Sequence, residues 1–180
     1  MHHVRHLILV LGDQLDLEAA AFDGFDVSQD AVWMAEAYEE STHVWSSKQR
    51  IALFLSAMRH FAQALRDAGR PLHYHRLEDI GAVADLDSLG AKLQADLVRL
   101  KPQRVVMTAP GDWRVFQQLK AAVEAARLKL EVYEDRHFFT TVSEFAAHAS
   151  GRKSLRLEYF YREVRQRHNI LMDDGKPAVC

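Results

Sequence analysis

The order of apolar patterns along the chain constrains this fold more than any other feature of the sequence. A continuous apolar run at residues 6–11 ends at Gly12 and Asp13, which is typical of a strand covered on both faces. Four further short runs, each preceded by a turn signal or a helical pattern, predict strands at residues 31–35, 72–76, 104–108 and 128–132. Strands that alternate with helices through short loops predict a parallel sheet with helices on both faces.

Apolar side chains three and four residues apart predict the helices. Ser46 and Gln49 form a capping-box pattern before the first long helix, and Gly69 followed by Pro71 ends it. Asp112 is the expected cap of a later helix, and Thr141 with Glu144 caps a short one. The helices expected on this basis run from Ser46 to Gly69, from Leu86 to Leu100, from Trp113 to Ala126, from Thr141 onward, and over residues 154–168.

These elements predict an α/β fold, namely a doubly wound, mostly parallel five-stranded sheet in the order 3-2-1-4-5, Rossmann-like, with helices on both faces. We expect residues 1–150 to form this domain and residues 151–180 to form a basic helix and the start of a linker. Ligands of such sheets bind beyond the carboxyl ends of the strands, near the switch point. The loops expected there are residues 12–15, 36–40 and 109–112.

Composition narrows the class of protein. The 180 residues include 23 Lys and Arg and 25 Asp and Glu, and no apolar run approaches the ~20 residues of a membrane span. No signal peptide opens the chain, so we expect a cytoplasmic protein without membrane contact. The single cysteine, Cys180, excludes an internal disulfide, a cysteine-based zinc site and an iron–sulfur cluster held by this chain alone. Residues 151–168 carry six Lys or Arg and two Glu, whereas the rest of the chain is acidic, which suggests an anionic neighbour for this basic stretch.

The expected crevice favours a neutral ligand. Neither G-x-G-x-x-G after the first strand nor G-x-x-x-x-G-K-[ST] is present, so the two common phosphate cradles are missing. The carboxylates of four residues would converge there without a Lys or Arg in either loop: Asp13, Glu36, Glu39 and Glu40. Carboxylates repel pyrophosphate and accept hydrogen bonds, which favours a heterocycle with ring N–H donors and hydroxyls. Stacking walls for it would come from Tyr38, Trp45 and Phe54.

Other interpretations of the same residues stay open. Asp13 is equally compatible with a local turn, and for Glu39 a solvated loop is the preferred interpretation. His73 and His75 share one face of a strand, but no third ligand is evident for a metal. The competing functions are a non-enzymatic interaction domain and a nucleotide-binding stress-type α/β domain. No Ser/His/Asp or Cys/His arrangement for nucleophilic catalysis is recognisable.

Four segments, in this order along the chain, carry a family resemblance: residues 9–15 (LVLGDQL), 48–61, 110–114 (PGDWR) and 151–163. Together they resemble the N-terminal domain of the deoxyribodipyrimidine photolyase-related proteins, the bacterial iron–sulfur photolyases and cryptochromes. The resemblance extends from about Leu7 to Pro177.

The resemblance implies a light-driven enzyme or photoreceptor when the protein is full length. Repair members of this family reverse (6-4) photoproducts in DNA. A larger helical domain holds FAD, an iron–sulfur cluster and most of the lesion-binding surface. The α/β domain holds an antenna chromophore, 6,7-dimethyl-8-ribityllumazine, which passes excitation energy to the flavin. This ligand is a neutral ring with a ribityl chain.

The family pattern also implies a chromophore site in this chain. Asp13 would accept a hydrogen bond from the ring or the ribityl chain, and Glu40 is the better candidate for pairing with the pyrimidine edge. Ala35 and His43 depart from the family pattern, which leaves the identity and affinity of the chromophore open. The complete candidate site is Gly12, Asp13, Gln14, Ala35, Glu36, Glu40 and His43.

The end of the sequence adds a further expectation. The family continues beyond Pro177 into the catalytic domain, whereas this sequence stops at Cys180. We expect a truncated chain with no catalytic residues of its own, which does not repair DNA alone. Its partner would be the FAD and iron–sulfur domain, with DNA reached only through that domain. The apolar side chains of residues 154–168 also predict self-association.

Overall fold

A five-stranded parallel sheet is the centre of the fold. The structure, a computed structural model, describes residues 4–77, 88–173 and 175–178. Its strands are β1 (His6–Leu9), β2 (Ala31–Ala35), β3 (Leu72–His75), β4 (Arg104–Thr108) and β5 (Lys129–Tyr133). Their order is β3-β2-β1-β4-β5, and every neighbouring pair is parallel. The predicted fold class and strand order are confirmed.

Strand β1 occupies the middle of the sheet because its side chains are apolar on both faces. Leu7, Ile8 and Leu9 are at most 2% exposed. The strand ends at Leu9, two residues earlier than the apolar run predicts. Val10 continues the pairing with one further backbone hydrogen bond, from its N–H to the Trp33 carbonyl at 3.0 Å.

Six helices flank or follow the sheet in the part of the chain that the structure describes. They are α1 (Tyr38–Thr42), α2 (Lys48–Asp67), α3 (Leu89–Leu100), α4 (Trp113–Ala125), α5 (Val142–Ala149) and α6 (Leu157–His168). The sequence did not predict α1, a 3₁₀ turn at Ala20–Phe22, or the small hairpin of β6 (Met172–Asp173) and β7 (Lys176–Pro177). Helix α6 begins three residues later than predicted, and Leu86, the expected start of the second long helix, lies outside the described residues.

The helix caps agree with the sequence at two positions and differ at one. Asp112 caps α4 by accepting from the backbone N–H groups of Arg114 and Val115, and Thr141 forms the predicted capping box in α5. Helix α2 is capped by Ser47, whose Oγ accepts from the Arg50 N–H at 3.3 Å, and not by Ser46. The helix therefore starts one residue later than the capping-box pattern predicts.

Helices cover both faces of the sheet, as predicted. Leu9, Trp33 and Met107 belong to the core that packs against α3 and α4. On the opposite face, Ile8 pairs in register with Val32 on one side and Val106 on the other, and this row packs against α2 and the 3₁₀ turn. The alternation of side chains along each strand therefore builds two separate apolar layers.

The chain divides after Tyr133 into two compact units, Met1–Tyr133 and Glu134–Cys180. The first contains the sheet and α1 to α4, and the second contains α5, α6 and the small hairpin. In the second unit the Phe160 ring lies edge-on to Phe145, with centroids 5.1 Å apart. The expected boundary at residue 150, between the α/β domain and a basic helix with the start of a linker, stays a prediction. Among the described residues, no helix combines the length and apolar character needed to cross a membrane.

Candidate functional site

A cavity of about 360 Å³ opens at the carboxyl ends of β1, β2 and β4. Leu11, Ala35 and Ala37 are buried residues that continue β1 and β2 into its lining. The first turns of α2 and α4 contribute to the same cavity. Strand β1 lies where the strand order reverses, so the cavity occupies the switch point at which doubly wound sheets bind their ligands.

The cavity brings together six of the seven candidate residues: Gly12, Asp13, Ala35, Glu36, Glu40 and His43. Gln14 does not line it. The Gln14 side chain turns to the loop after β4, where its Nε2 donates to the Ala109 carbonyl at 2.8 Å. Gln14 therefore connects two of the loops that surround the cavity.

Gly12 sets the distance between β1 and α2. A Cβ atom at this position would lie 2.5 Å from the Cε1 and Cζ atoms of Phe54 and 2.9 Å from the Met58 sulfur. A side chain at position 12 would displace the Phe54 ring from its present position. Phe54 consequently forms part of the cavity wall.

Two of the three predicted aromatic walls lie elsewhere. Tyr38 and Trp45 are absent from the cavity lining and are 59% and 95% exposed. Tyr38 is the first residue of α1, a helix that the sequence did not predict. The apolar wall beside Phe54 comes instead from Ile51 and Leu55 of α2.

The Glu36 carboxylate accepts hydrogen bonds from neighbouring groups of the protein. Its Oε1 accepts from Arg59 Nε at 2.9 Å and from the Tyr74 hydroxyl at 2.6 Å. Its Oε2 accepts from Arg59 Nη2 at 3.0 Å and from the Leu77 N–H at 3.0 Å. Burial works in the opposite direction, but these donors hold the pKa of Glu36 below its ordinary value. All four acceptor positions are occupied, so Glu36 holds its loop in place and offers no free acceptor to a ligand.

Arginine side chains accompany the acidic loops, contrary to the expectation from the sequence. Arg114 of α4 places Nη2 2.9 Å from Glu40 Oε1 and Nη1 3.4 Å from Glu39 Oε1. The sequence analysis looked for Lys or Arg only in the loops, whereas Arg114 belongs to the neighbouring helix α4. Glu39 also accepts from Gln118 Nε2 at 3.0 Å, but it does not line the cavity and its side chain is 36% exposed. It lies in α1 and not in a loop, and it stays outside the candidate site, as preferred from the sequence.

Glu40 keeps acceptor capacity despite this ion pair. Its Oε2 accepts from Arg114 Nη2 at 3.1 Å. Its Oε1 is buried and lies within ion-pair distance of the same nitrogen but receives no hydrogen bond. Oε1 is therefore stabilised by the charge of Arg114 and keeps a free position at which a ligand N–H or O–H can donate.

Two charged side chains in the lining have no ion pair and no side-chain hydrogen bond within the described residues. One is Asp13, which follows Gly12. The turn at this point is closed by backbone groups, from the Gln14 N–H to the Leu11 carbonyl, so the Asp13 carboxylate is not needed for it. The other is Arg50, an exposed residue in the first turn of α2.

A second buried polar group lies away from the cavity. Asp96 of α3 accepts from the Trp33 indole N–H at 2.9 Å and from Arg99 Nη2 at 2.7 Å, and it lies 2.5 Å from His75 Nε2. Burial raises the pKa of Asp96, but the hydrogen bonds from these groups outweigh it and lower the pKa to about 2. His75 therefore bonds to a carboxylate. Within the described ranges, no group of three or more His, Cys, Asp or Glu is arranged to hold a metal ion.

The sequence contains a signal for this buried group in the charged residues of α3. Asp96 precedes Leu97, and Lys92 precedes Leu93, on the buried face of α3. Lys92 donates from Nζ to the Glu36 carbonyl. Two charged residues inside a leucine stripe indicate buried polar contacts, because such residues are almost never buried without partners.

Two comparisons relate the sequence of this chain to known proteins. The family model described as "Deoxyribodipyrimidine photo-lyase-related protein" matches residues 8–179. A protein named (6-4) photolyase, from Agrobacterium fabrum (strain C58 / ATCC 33970), is 38% identical over 175 residues. The match covers 97% of this chain and 34% of that protein, so the chain spans about a third of the length of this relative.

Proposed function

Because the chain belongs to the deoxyribodipyrimidine photo-lyase-related protein family, we propose that its sheet unit binds a lumazine-type antenna chromophore, 6,7-dimethyl-8-ribityllumazine. The observation that carries this proposal is the cavity at the switch point, which combines an apolar wall with acceptor oxygens. A volume of about 360 Å³ falls within the range of roughly 300–1,000 Å³ that is usual for small-molecule sites.

The residues present fit a flat, uncharged ring with hydroxyl groups. Phe54, Ile51 and Leu55 offer an apolar surface against which a ring can pack. Within the described residues, neither the exposed Asp13 carboxylate nor the buried Oε1 of Glu40 receives a hydrogen bond, and Glu40 Oε1 is ion-paired with Arg114. Ring N–H groups and ribityl hydroxyls are donors from which these oxygens can accept.

Each remaining residue of the site has a supporting role in this proposal. Gly12 allows α2 to approach β1, Glu36 holds the loop after β2, and Arg114 orients Glu40. The bound chromophore would absorb light and pass the excitation energy onward. The chain contributes binding and orientation, and we assign it no catalytic residue.

The activity of a full-length protein belongs to this proposal as well. The relative from Agrobacterium is much longer than this chain, which is consistent with a domain of a larger protein. We place FAD, the iron–sulfur cluster and the DNA contacts in the part of such a protein beyond the residues matched here. Light-driven DNA repair or blue-light sensing would then require that part, and the chain alone would be inactive.

An absorption and fluorescence titration of the purified chain tests the proposal. We expect 6,7-dimethyl-8-ribityllumazine to bind saturably at micromolar concentrations, at one site per chain, with a change in its spectrum. ATP, added in a parallel titration, should not bind, because the chain lacks a phosphate cradle. A chain that binds ATP and leaves the lumazine spectrum unchanged would support a nucleotide-binding stress-type domain instead.

A further inference from the structure

We propose that Trp45 closes over the bound chromophore and stacks on the face of the ring opposite Phe54. This inference rests on the proposed function and adds a binding residue for the same neutral ligand. Trp45 lies outside the cavity lining in the structure, so the contact requires a movement of the loop that joins α1 to α2, residues 43–47.

The cavity offers an aromatic ring on one side. Among the described residues of the lining, Phe54 is the one phenylalanine, tyrosine or tryptophan, and it is 43% exposed. A flat ring that packs on Phe54 has a second face. Small-molecule sites cover most of the ligand surface, and aromatic side chains stack well on such a face.

Trp45 stands at the rim of this cavity. Its two neighbours along the chain, Val44 and Ser46, both line the cavity, whereas Trp45 itself is 95% exposed. An indole presents a large apolar surface to water, and contact with a ligand ring removes that surface from water. The ligand site therefore lies directly beside an aromatic side chain that gains from contact with it.

The main chain around Trp45 is free to move. Within the described residues, no backbone hydrogen bond involves residues 44–46. The bonds at the two ends of the loop belong to the helices: the His43 N–H donates to the Glu39 carbonyl, and the Ile51 N–H donates to the Ser47 carbonyl. A movement of Trp45 between these ends breaks no backbone hydrogen bond, which keeps its free-energy cost low.

The fixed ends of the loop keep this movement local. Helix α1 is attached to α4 by the ion pair of Glu40 with Arg114. Ser47 caps α2 by accepting from the Arg50 N–H at 3.3 Å. Trp45 lies two residues before Ser47, and consecutive Cα atoms are about 3.8 Å apart, so its Cα stays close to the cavity.

Trp113 has a similar position but lacks this freedom. It is 71% exposed and also stands between two residues of the lining, Asp112 and Arg114. It is the first residue of α4, which Asp112 caps, and its ring centroid lies 5.4 Å from that of Phe116. Trp113 therefore has a fixed backbone and an aromatic partner, and we do not expect it to cover the ligand.

The first measurement is the affinity of Trp45→Ala for 6,7-dimethyl-8-ribityllumazine. We expect a loss of about tenfold, which corresponds to about 1.4 kcal/mol and is reasonable for one aromatic contact. Trp45→Phe should restore most of the affinity, because a phenyl ring also stacks. Trp113→Ala is the matched control and should bind like the unaltered chain. Both tryptophans are largely exposed, so urea unfolding should give similar stability for every variant.

The second measurement shows whether solvent reaches the bound ring. Acrylamide, a neutral quencher, is added to lumazine with protein in excess, and the rate constant of collisional quenching is obtained from fluorescence lifetimes. The unaltered chain, Trp45→Phe and Trp113→Ala should shield the ring to a similar degree. Trp45→Ala should raise the rate constant severalfold, an effect that a merely structural role of this side chain would not produce.

The outcomes separate this inference from the proposed function. If Trp45→Ala keeps the affinity or leaves the quenching rate constant unchanged, Trp45 does not cover the ring, and chromophore binding stands. Equal losses in Trp113→Ala also overturn the specific role of Trp45. If lumazine does not bind to the unaltered chain, both the inference and the proposed function are overturned.

Discussion

One residue without a side chain determines how wide the cavity is. Gly12 allows Phe54 and Met58 to pack directly on the loop after β1. The atoms of Phe54 that would clash with a Cβ belong to the far end of a ring that is partly exposed. Such a ring can move at a modest cost in stability, but its movement changes the wall of the cavity.

We therefore predict that Gly12→Ala reduces chromophore affinity more than it reduces stability. The free energy of unfolding should fall by no more than about 1–2 kcal/mol, as for a small overpacking change, while lumazine binding weakens at least about tenfold. Gly111→Ala is the control, because a Cβ there meets only Asp13 Oδ2 at 3.9 Å. Unchanged binding in Gly12→Ala would show that the Phe54 wall does not contact the ligand.

The second prediction for single residues concerns the carboxylates of Asp13 and Glu40. Asp13→Asn and Glu40→Gln should each weaken lumazine binding by about 1–3 kcal/mol, the cost of losing a hydrogen bond to a charged group. Calorimetric titration of each variant measures this loss. Glu36→Gln is not an equivalent test, because it disturbs four internal hydrogen bonds. Full affinity in both variants would remove these residues from the site.

At the scale of single residues, the sequence alone brought the candidate residues to one cavity but did not identify their hydrogen-bond partners. Loops that follow strands on the same edge can be placed from topology, and six of seven candidates line one cavity. The partners of Glu36 and Glu40 could not be read from loop composition, because Arg59 and Arg114 lie on helices. Arg114 lies two residues after the expected loop at residues 109–112. This closeness to the edge of the sheet was the only hint in the sequence that an arginine could pair with the acidic residues there.

At the scale of elements, Asp96 fixes α3 to the sheet. It bonds to Trp33 in β2 and contacts His75 in β3, so one carboxylate joins a helix to two strands. Loss of this carboxylate leaves a buried indole N–H without its acceptor. Buried polar groups of this kind cost more when one partner is removed than the pair contributes.

We predict that this contact makes stability fall at acid pH. The folded-state pKa of Asp96 is about 2, below its ordinary value, so its contribution is complete above about pH 4 and is lost as the pH falls toward 2. Urea unfolding between pH 2 and pH 6 measures this dependence. Asp96→Asn should be less stable by about 2–4 kcal/mol at neutral pH and should lose part of the acid dependence.

One outcome for Asp96→Asn would contradict this prediction. If Asp96→Asn keeps the stability of the unaltered chain at neutral pH and the same slope in acid, the carboxylate is not what attaches α3 to the sheet.

Long apolar patterns in the sequence predicted the strands and the long helices, whereas the short polar helix α1 was not predicted. The strands and long helices follow from runs and stripes that only one kind of secondary structure can bury. Helix α1 has five residues and no apolar stripe, so the sequence offered no periodic signal for it. Ser46 and Ser47 are equally good caps by residue type, so residue type alone did not identify Ser47 as the cap.

At the scale of the whole molecule, the second unit exposes many apolar side chains. In α6 only Phe160 is buried, and Leu157 is 75% exposed. Other exposed large apolar residues in the described part of this unit are Phe138, Phe139, Val142, Phe145, Leu155, Tyr159, Tyr161 and Leu171. Apolar groups in such numbers favour association with another surface.

We predict that the chain self-associates through residues 154–168. Light scattering at several concentrations should give an average mass that rises from one chain toward two. Leu157→Lys should reduce this rise, and Val98→Lys, which changes an exposed residue of α3, should not. A mass of one chain at every concentration would contradict the prediction.

The most direct test of the central claim is a map of where lumazine binds, obtained from ¹H–¹⁵N correlation spectra during a titration with 6,7-dimethyl-8-ribityllumazine. The amide signals of Gly12, Asp13, Glu40 and the first turn of α2 should shift together and saturate together, since these residues line one cavity. Shifts centred on residues 134–173, or no saturable shift at all, would contradict the assignment of this cavity as the chromophore site.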